Sequence, residues 1–250
     1  MEKIAIVTGS TGGLGKVFIQ ELLKEDIDKI WAVGRNKSKL DELCSTYGDK
    51  IYPVQCDLCN EEEVKNIYNL LNEKKPVIMY LVNNAGMAKF GKISKFTDEE
   101  ISKTININCK TPTLMCQYSI PYMIKGSKIL NISSASSFQP NPYIAIYSAT
   151  KVYLKSYSRS LNYELKDKGI TSTAVCPGWV DTDMLKSNIK FPGIVSPERV
   201  VKQAIRDAKK GKDMSVCSLF VKYEHVCSKI FPQKMIMRIW GKGVKKYVED

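Results

Sequence analysis

A short apolar run near the start of the chain leads directly into a loop of glycines, and this feature constrains the fold more than any other. Residues 4–7 are continuously apolar, as in a parallel strand that is covered on both faces. The loop Thr8-Gly9-Ser10-Thr11-Gly12-Gly13-Leu14-Gly15 follows, and apolar residues then recur at helical spacing over residues 17–23. A strand, a glycine loop and a helix in this order present backbone N–H groups and a positive helix end to a pyrophosphate. The sequence therefore predicts a phosphate-binding loop here rather than a merely flexible turn.

The alternation of strand and helix continues along the chain. Further strands are predicted over residues 30–33, 51–55, 77–82, 128–132 and 171–176, and helical patterns span 61–72 and 144–168 or begin near Thr97 and Ser196. At 250 residues and 44% hydrophobic composition, the chain is long enough to bury one large core. We therefore expect a single α/β domain over residues 1–250, built as a three-layer, doubly wound and mostly parallel sheet of the Rossmann type.

Catalytic chemistry is expected first in residues 134–151, which contain Ser134, Tyr147 and Lys151. Tyr147 and Lys151 are four residues apart in a helical pattern, so their side chains share one face and stand one turn apart. A free phenol has a pKa of about 10, and a fixed positive charge beside it lowers that pKa, which suits general acid-base work. Ser134 follows an apolar run and would lie at a strand's carboxyl end, where open parallel sheets place their sites. Taken alone, however, the spacing of Tyr147 and Lys151 is more typical of an ordinary solvated pair on a helix surface.

The end of the second apolar run indicates which cofactor the glycine loop would serve. Gly34 and Arg35 stand about twenty residues beyond Gly15, where an acid would hydrogen-bond the ribose hydroxyls of NAD. Arg35 instead provides positive charge for the 2'-phosphate of NADP, and its guanidinium suits bidentate phosphate recognition. The sequence therefore predicts NADP(H) as the cofactor, with a plain surface arginine as the alternative.

The eight cysteines predict neither a disulfide framework nor a metal centre. Cys56 and Cys59 form a Cys-x-x-Cys pair, but no second cysteine or histidine pair accompanies them, and the single histidine is His225. The start of the chain lacks a signal-peptide pattern, and no apolar stretch reaches about 18 residues. We therefore expect free thiols, no bound metal and a cytoplasmic location.

Two further motifs turn these separate features into one pattern. The fourth predicted strand ends in Asn83-Asn84-Ala85-Gly86, and the sixth ends in Pro177-Gly178-Trp179-Val180-Asp181-Thr182. With the glycine loop and with Ser134, Tyr147 and Lys151, they resemble the short-chain dehydrogenase/reductase family over residues 8–182. The resemblance implies reversible hydride transfer between NADP(H) and the carbonyl or secondary alcohol of a small-molecule substrate.

The resemblance also implies a role for each site residue. Ser134 would hydrogen-bond the carbonyl oxygen, Tyr147 would donate the proton, and Lys151 would lower the pKa of Tyr147 and hold the nicotinamide ribose. Asn108 corresponds to the family asparagine that interrupts a helix and holds a water against the lysine, with Asn106 as the alternative. Thr111 stands where the family often has glycine, a departure that concerns helix packing. The residues implied in cofactor binding are Thr8, Gly9, Ser10, Thr11, Gly13, Leu14, Gly15, Arg35, Asp57, Leu58, Asn84, Ala85, Gly86, Tyr147, Lys151, Pro177, Gly178, Val180 and Thr182.

The substrate is less constrained by these patterns. The sequence looks most like the hydroxysteroid dehydrogenase and long-chain 3-ketoacyl reductase branch, and residues 183–196 are rich enough in apolar side chains to form a lid over a bulky apolar substrate, faced by Phe138 and Tyr143. A small-molecule ketone or 3-hydroxy-acid dehydrogenase is the alternative enzyme. A cofactor sensor without catalysis is a further alternative, because one fold serves many functions.

The net charge of +12 is concentrated toward the end of the chain, and no nucleic-acid-binding motif accompanies it. We therefore expect no nucleic-acid partner. In residues 219–250, apolar residues alternate with lysines and arginine, a pattern that fits a subunit contact, a cap over the substrate cleft or an anionic membrane surface. Docking on protein is the favoured interpretation, with the chain a homo-oligomer, either dimer or tetramer, and peripheral membrane contact is the alternative.

Overall fold

A computed structural model describes residues 1–182 and 193–245, and a parallel β-sheet runs through its centre. The strands are β1 (Lys3–Thr8), β2 (Lys29–Gly34), β3 (Ile51–Gln55), β4 (Val77–Asn83), β5 (Lys128–Ile132), β6 (Thr171–Val175) and β7 (Met214–Ser215). Their order across the sheet is β3-β2-β1-β4-β5-β6-β7, and each pair of neighbours is parallel. The predicted doubly wound α/β fold is thus confirmed, and the sheet is parallel throughout the described residues rather than mostly so. β7 was not predicted, because two residues carry no periodicity.

Helices cover both faces of the sheet. They are α1 (Gly13–Leu22), α2 (Lys37–Tyr47), α3 (Glu61–Lys74), α4 (Asp98–Ile105), α5 (Thr111–Ser119), α6 (Ala145–Glu164), α7 (Pro197–Lys209), α8 (Leu219–Ile230) and α9 (Gln233–Lys245). The side chains of α1, α2 and α7 share one core cluster, and those of α3, α5 and α6 share the other.

The strands are continuously apolar because they have a core on each side. Along β1, Ala5 and Val7 belong to the core beneath α1 and α7, whereas Ile4 and Ile6 belong to the core beneath α3 and α5. Successive side chains of a strand point to opposite faces, so a strand covered twice is mostly apolar. The buried polar residues in it need internal partners, as Asn83 of β4 and Asn131 of β5 have in each other at 2.8 Å. The apolar runs in the sequence are the direct result.

The strand order reverses direction at β1. The chain proceeds outward from β1 to β2 and β3, and then returns to add β4 to β7 on the other side of β1. A crevice therefore opens between the carboxyl ends of β1 and β4, which is where doubly wound sheets place their ligands.

A π-helical turn joins α4 to α5. Thr97 and Glu100 form a capping box that starts α4, and residues 106–110 then widen into a π-helix in which the N–H of Thr111 donates to the carbonyl of Asn106. Pro112 has no N–H to donate to the preceding turn, so the α-helical ladder cannot pass through this point unchanged. The predicted long helix is present, and its irregular turn contains Asn108.

Candidate active site

A cavity of about 750 Å³ lies over the carboxyl ends of the strands. Residues that follow β1, β2, β3, β4, β5 and β6 all contribute to its wall, among them Gly9, Arg35, Asp57, Ala85 and Ser134. Its volume is in the range of cofactor and small-molecule sites. The cavity therefore collects the motifs that the sequence singles out at separate points of the chain.

The glycine loop forms one wall of this cavity, and its geometry explains why particular positions in it are glycine. Gly9 has a φ of 62°, which favours glycine, and its carbonyl accepts the N–H of Gly12 at 3.2 Å. A Cβ atom on Gly15 would lie 2.2 Å from the Gly9 oxygen, and one on Gly13 would lie 2.7 Å from Cγ2 of Thr182. Glycine at these positions permits both the tight turn and the close approach of the opposite wall.

Thr8 and Asn84 hold the loop against the end of β4. The Thr8 hydroxyl donates to the carbonyl of Val82 at 3.2 Å and accepts the N–H groups of Asn84 and Ala85 at 3.0 and 3.1 Å. In return, the amide of Asn84 donates to the carbonyls of Thr8 and Gly9, both at 3.0 Å. These hydrogen bonds therefore hold the two sides of the crevice together at the ends of β1 and β4.

Arg35 and Asp57 lie on the wall beyond the glycine loop. The Arg35 side chain is exposed at the end of β2, with its guanidinium free to meet a ligand anion from solvent. The Asp57 carboxylate accepts the N–H of Cys59 at 3.0 Å, and the N–H of Asp57 donates to Glu63 at 2.6 Å. Leu58 is buried beside them. This end of the cavity is thus a fixed loop with one cation at its rim.

Lys151 is buried next to Tyr147 on α6. Its ammonium lies 5.5 Å from the centre of the Tyr147 ring and donates to the carbonyl of Ile132 at 2.7 Å. The side chain is only 4% exposed, and burial lowers the pKa of Lys151 to about 8. An ammonium without a carboxylate partner in such a place is costly, which is typical of a functional rather than a structural lysine.

The pKa of Tyr147 departs from the expectation that Lys151 would lower it. Burial raises the pKa of Tyr147 above its ordinary value, and a hydrogen bond with Ser134 opposes this rise without cancelling it. The Lys151 ammonium is engaged with the end of β5 instead of the phenol oxygen. The phenol is therefore protonated at neutral pH in this structure, as a proton donor must be.

Asn108 lies close to Lys151, in the π-helical turn. Its side chain donates to the carbonyl of Met87 at 2.9 Å and to Thr150 at 3.1 Å, and it accepts the N–H of Met87 at 3.0 Å. A Cβ atom on Gly86 would lie 2.9 Å from Oδ1 of Asn108 and 3.3 Å from Nζ of Lys151. The structure thus brings Asn108, rather than the alternative Asn106, up to the lysine.

Some of the residues that the resemblance assigns to the site do not line the cavity. Thr8, Ser10, Gly15, Asn108 and Pro177 are absent from its wall. Ser10 is buried and donates to the carbonyl of Val33 at 3.1 Å, and the carbonyl of Pro177 accepts the N–H of Ala135 at 2.7 Å. Four of these residues form hydrogen bonds inside the protein, and Gly15 packs closely against the Gly9 backbone. They therefore support the wall of the cavity without lining it.

Residues of α8 and α9 line the outer end of the cavity, which fits the alternative of residues 219–250 as a cap over the cleft, although the sequence patterns assigned none of them individually to the site. Trp240 of α9 stacks on Trp179 with ring centres 6.2 Å apart, and its indole N–H donates to the carbonyl of Pro142 at 2.9 Å. Val221 and Glu224 of α8 also line the cavity. The helical spacing of apolar residues in 219–245 predicts helices with an apolar face, but it does not predict which part of the protein that face covers.

The predicted lid is only partly within the described residues. Residues 183–192, including Met184, Leu185, Ile189, Phe191 and Pro192, lie outside them, and Val180 pairs with Val195 on either side. Phe138 does line the cavity, with its ring 4.2 Å from that of His225 of α8, whereas Tyr143 is not part of the wall. Phe138 therefore faces α8.

The cysteines of this chain are neither paired with one another nor part of a metal centre within the described residues. The eight cysteines are free, and burial raises the pKa of the Cys56 thiol to about 12. Within residues 1–182 and 193–245, no three His, Cys, Asp or Glu side chains are grouped closely enough to ligate a metal ion. None of the helices in this part of the chain has the length and apolar character needed to cross a bilayer.

Known proteins are similar to this chain in sequence and in fold. The sequence profile of the short chain dehydrogenase family matches residues 3–192. Human very-long-chain 3-oxoacyl-CoA reductase is 35% identical over 210 residues, which cover 81% of this chain and 67% of that protein. An uncharacterized oxidoreductase of Staphylococcus epidermidis is 31% identical over 185 residues, covering 73% of this chain and 80% of the relative. The structure of a short-chain dehydrogenase from Sphingobium yanoikuyae in complex with NADPH has a TM-score of 0.78 at 24% identity, covering 95% of this chain and 96% of the other, and shares its fold.

Proposed function

Because this chain belongs to the short chain dehydrogenase family, we propose that it is an NADP(H)-dependent oxidoreductase that interconverts a ketone and a secondary alcohol. The observation that carries the proposal is the gathering of Ser134, Tyr147 and Lys151 in one cavity whose far wall is the glycine loop. A buried ammonium beside a protonated phenol is a proton-transfer device, and the glycine loop is a phosphate cradle. Together they form a site for the reduction of a ketone or the oxidation of a secondary alcohol.

The cavity fits a dinucleotide on the chemistry of its walls. A side chain on Gly13 would meet Thr182 and one on Gly9 would meet the Ala85 backbone, so the cradle is open because these residues are glycine. Gly9, Thr11, Gly13 and Leu14 would hold the pyrophosphate, with Asp57 and Leu58 beside the adenine and Val180 and Thr182 beside the nicotinamide. When bound, the nicotinamide supplies or accepts the hydride.

NADP(H) is proposed over NAD(H) because of the charge at the end of β2. The residue that follows Gly34 is Arg35, and its exposed guanidinium lines the cavity where an acid would otherwise receive a ribose hydroxyl. A guanidinium attracts the 2'-phosphate, and the missing acid removes the usual partner of NAD.

The chain's own residues suffice to position and protonate the reacting oxygen. Ser134 would hydrogen-bond the carbonyl oxygen, and Tyr147 would donate its phenolic proton as that oxygen gains negative charge. Lys151 would stabilise the resulting phenolate and bind the ribose hydroxyls, since its charge is otherwise compensated only by dipoles. Asn108 positions the backbone at Met87 beside Lys151 and would hold a water through which the proton is restored.

A bulky apolar substrate of the hydroxysteroid or long-chain 3-ketoacyl type is proposed on the lining of the outer cavity. Phe138, Trp179, Val221 and Trp240 make this end predominantly apolar. Glu224 is the exception, and burial raises its pKa. A free carboxylate would lose its hydration against this largely apolar wall, which disfavours the alternative 3-hydroxy-acid substrates. The name of the human relative also supports a long-chain 3-ketoacyl substrate.

A substrate panel tests this proposal. Purified protein is assayed with NADPH or NADH against short ketones, 3-keto acids, ketosteroids and long-chain 3-ketoacyl thioesters. We expect NADPH-dependent turnover whose kcat/KM rises with apolar size and is lowest for free acids. Tyr147→Phe serves as the matched control, since it keeps the ring and removes the proton donor. Absence of turnover on the whole panel, with NADPH binding intact, would favour the sensor alternative.

A further inference from the structure

The outward faces of α8 and α9 carry a row of large apolar side chains that nothing in the described structure covers. Along α8, Leu219, Tyr223 and Ile230 are 76%, 67% and 69% exposed, and Ile239 of α9 is 67% exposed. The apolar residues on the outside recur at spacings of three and four, so they form one stripe along each helix. Isolated exposed apolar residues are ordinary, but a continuous stripe marks an interaction site.

The inner faces of the same helices are already occupied. Val221 and Val244 are buried, Trp240 stacks on Trp179, and a Cβ atom on Gly178 would lie 2.6 Å from Val221. Both helices are therefore anchored on the fold, which supports the expectation that the segment docks on protein. Anchoring leaves the outer stripe facing outward, so the stripe needs a separate explanation.

Basic residues flank the stripe, and acids are nearly absent. Residues 219–245 contain Lys222, Lys229, Lys234, Arg238, Lys242 and Lys245 but a single acid, Glu224, which lines the cavity. The cations are exposed. The apolar–basic surface, defined as Leu219, Tyr223, Val226, Ile230, Met235 and Ile239 with these six cations, therefore has apolar side chains at its centre and positive charge at its edges.

We propose that the apolar–basic surface docks on an anionic phospholipid bilayer. Helices that lie in a membrane interface combine an apolar face with lysines and arginines that reach anionic headgroups. A second copy of the chain would place the same cations opposite one another in an isologous contact, on a protein whose net charge is already +12. Charge complementarity thus selects the bilayer over self-association through this surface.

The position of the surface next to the cavity gives the docking a consequence. Phe220 follows Leu219 on α8, lines the cavity, and is still 41% exposed. The cavity therefore reaches the outside of the protein beside the stripe. A docked chain would hold this opening near the acyl region, from which an apolar substrate could enter without crossing water; this consequence rests on the proposed function, whereas the docking itself does not.

Vesicle sedimentation tests the docking without reference to activity. The full chain is mixed with phosphatidylcholine vesicles or with vesicles that also contain phosphatidylserine, at low and at physiological salt. We expect binding to the anionic vesicles alone, weakened by salt because the cations are exposed. Arg238→Glu with Lys242→Glu should weaken this binding by about thirtyfold or more, from about 1 kcal/mol for each cation at the surface. Ile230→Ser with Ile239→Ser should weaken it by about tenfold or more through lost apolar burial.

Matched substitutions on another surface serve as controls. Tyr163 is 82% exposed, and Lys166 and Lys168 are exposed nearby. Tyr163→Ser and the pair Lys166→Glu with Lys168→Glu should leave vesicle binding unchanged, and circular dichroism checks that each variant folds. Equal binding to neutral vesicles, no binding at all, or equal losses in the control variants would overturn the proposal. So would a loss of oligomer mass by light scattering in Ile230→Ser with Ile239→Ser while vesicle binding persists, since the occupant would then be a second copy.

Discussion

Lys151 makes the stability of this protein depend on pH in a way that can be calculated in advance. Burial lowers its pKa from the ordinary value of 10.5 to about 8, because the residue is 4% exposed and its ammonium has a carbonyl but, among residues 1–182 and 193–245, no carboxylate as partner. A shift of this size corresponds to roughly 3 kcal/mol of unfavourable free energy for the charged form in the folded state. The fold therefore bears this cost at neutral pH.

The sign of the pH effect follows from proton binding. Between about pH 8 and 10.5 the unfolded chain keeps the proton on Lys151 and the folded chain has lost it. Stability rises with pH wherever the unfolded state binds more protons, so the contribution of Lys151 becomes more favourable as pH rises through this window. Lys151→Met has no such group. The free energy of unfolding of the wild type minus that of Lys151→Met should therefore increase by about 2 to 3 kcal/mol between pH 7 and pH 10.

Equilibrium urea unfolding of both proteins across this range measures the difference. Constant effects of the substitution, such as the lost hydrogen bond to Ile132, cancel in the pH dependence. Lys166→Met removes an exposed lysine and serves as the control, for which no comparable change is expected. If the free energy of unfolding of the wild type minus that of Lys151→Met stays constant from pH 7 to pH 10, the explanation by a buried Lys151 with a lowered pKa is refuted. In the direction of ketone reduction, kcat/KM should also fall above about pH 8 as Lys151 loses its charge.

Three further perturbations test the rest of the site. Tyr147→Phe should lower turnover by at least about a hundredfold, the usual worth of general acid-base catalysis, while fluorescence titration shows NADPH affinity retained; near-normal turnover would contradict the role of the phenol. Arg35→Asp should reverse a preference for NADPH of about 1 to 3 kcal/mol, measured as the ratio of kcat/KM for the two cofactors, and a wild type that uses both equally would exclude the phosphate contact. Gly15→Ala should lower the free energy of unfolding by about 1 to 3 kcal/mol, because its Cβ would lie 2.2 Å from the Gly9 oxygen. Gly243→Ala is its control, because a Cβ atom on Gly243 would have no other atom within 4 Å. If both substitutions lowered the free energy of unfolding in urea equally, the close packing at Gly15 would not be the cause.

The pKa values of Tyr147 and Lys151 bear on how the site works. The sequence suggests a lysine that lowers the pKa of a neighbouring phenol, yet burial raises the pKa of Tyr147 and lowers that of Lys151. Both changes move the two groups toward neutral forms, because desolvation opposes charge of either sign. In the proposed reduction, the phenol would therefore start in the protonated form that a proton donor needs, and the charge of Lys151 would act once the phenol oxygen becomes negative.

The sequence by itself determined the class of fold, the position of the glycine loop and the spacing of Tyr147 and Lys151. Each of these depends on residues that are close along the chain. The apolar runs follow from strands with a core on each side, the glycine loop from a turn within a few residues of β1, and the pairing of Tyr147 with Lys151 from one turn of α6. Local periodicity is enough to predict such features.

Only the tertiary structure decided which residues face the cavity and what closes it. Thr8, Ser10 and Pro177 belong to the matched motifs, but hydrogen bonds to distant strands and loops turn them away from the wall. Trp240 reaches the site from the other end of the chain, about a hundred residues from the Pro142 carbonyl that it contacts. Periodicity along the chain shows that a helix has an apolar face, but not which surface covers that face. That choice depends on the shapes and polar groups of segments that meet only when the chain has folded.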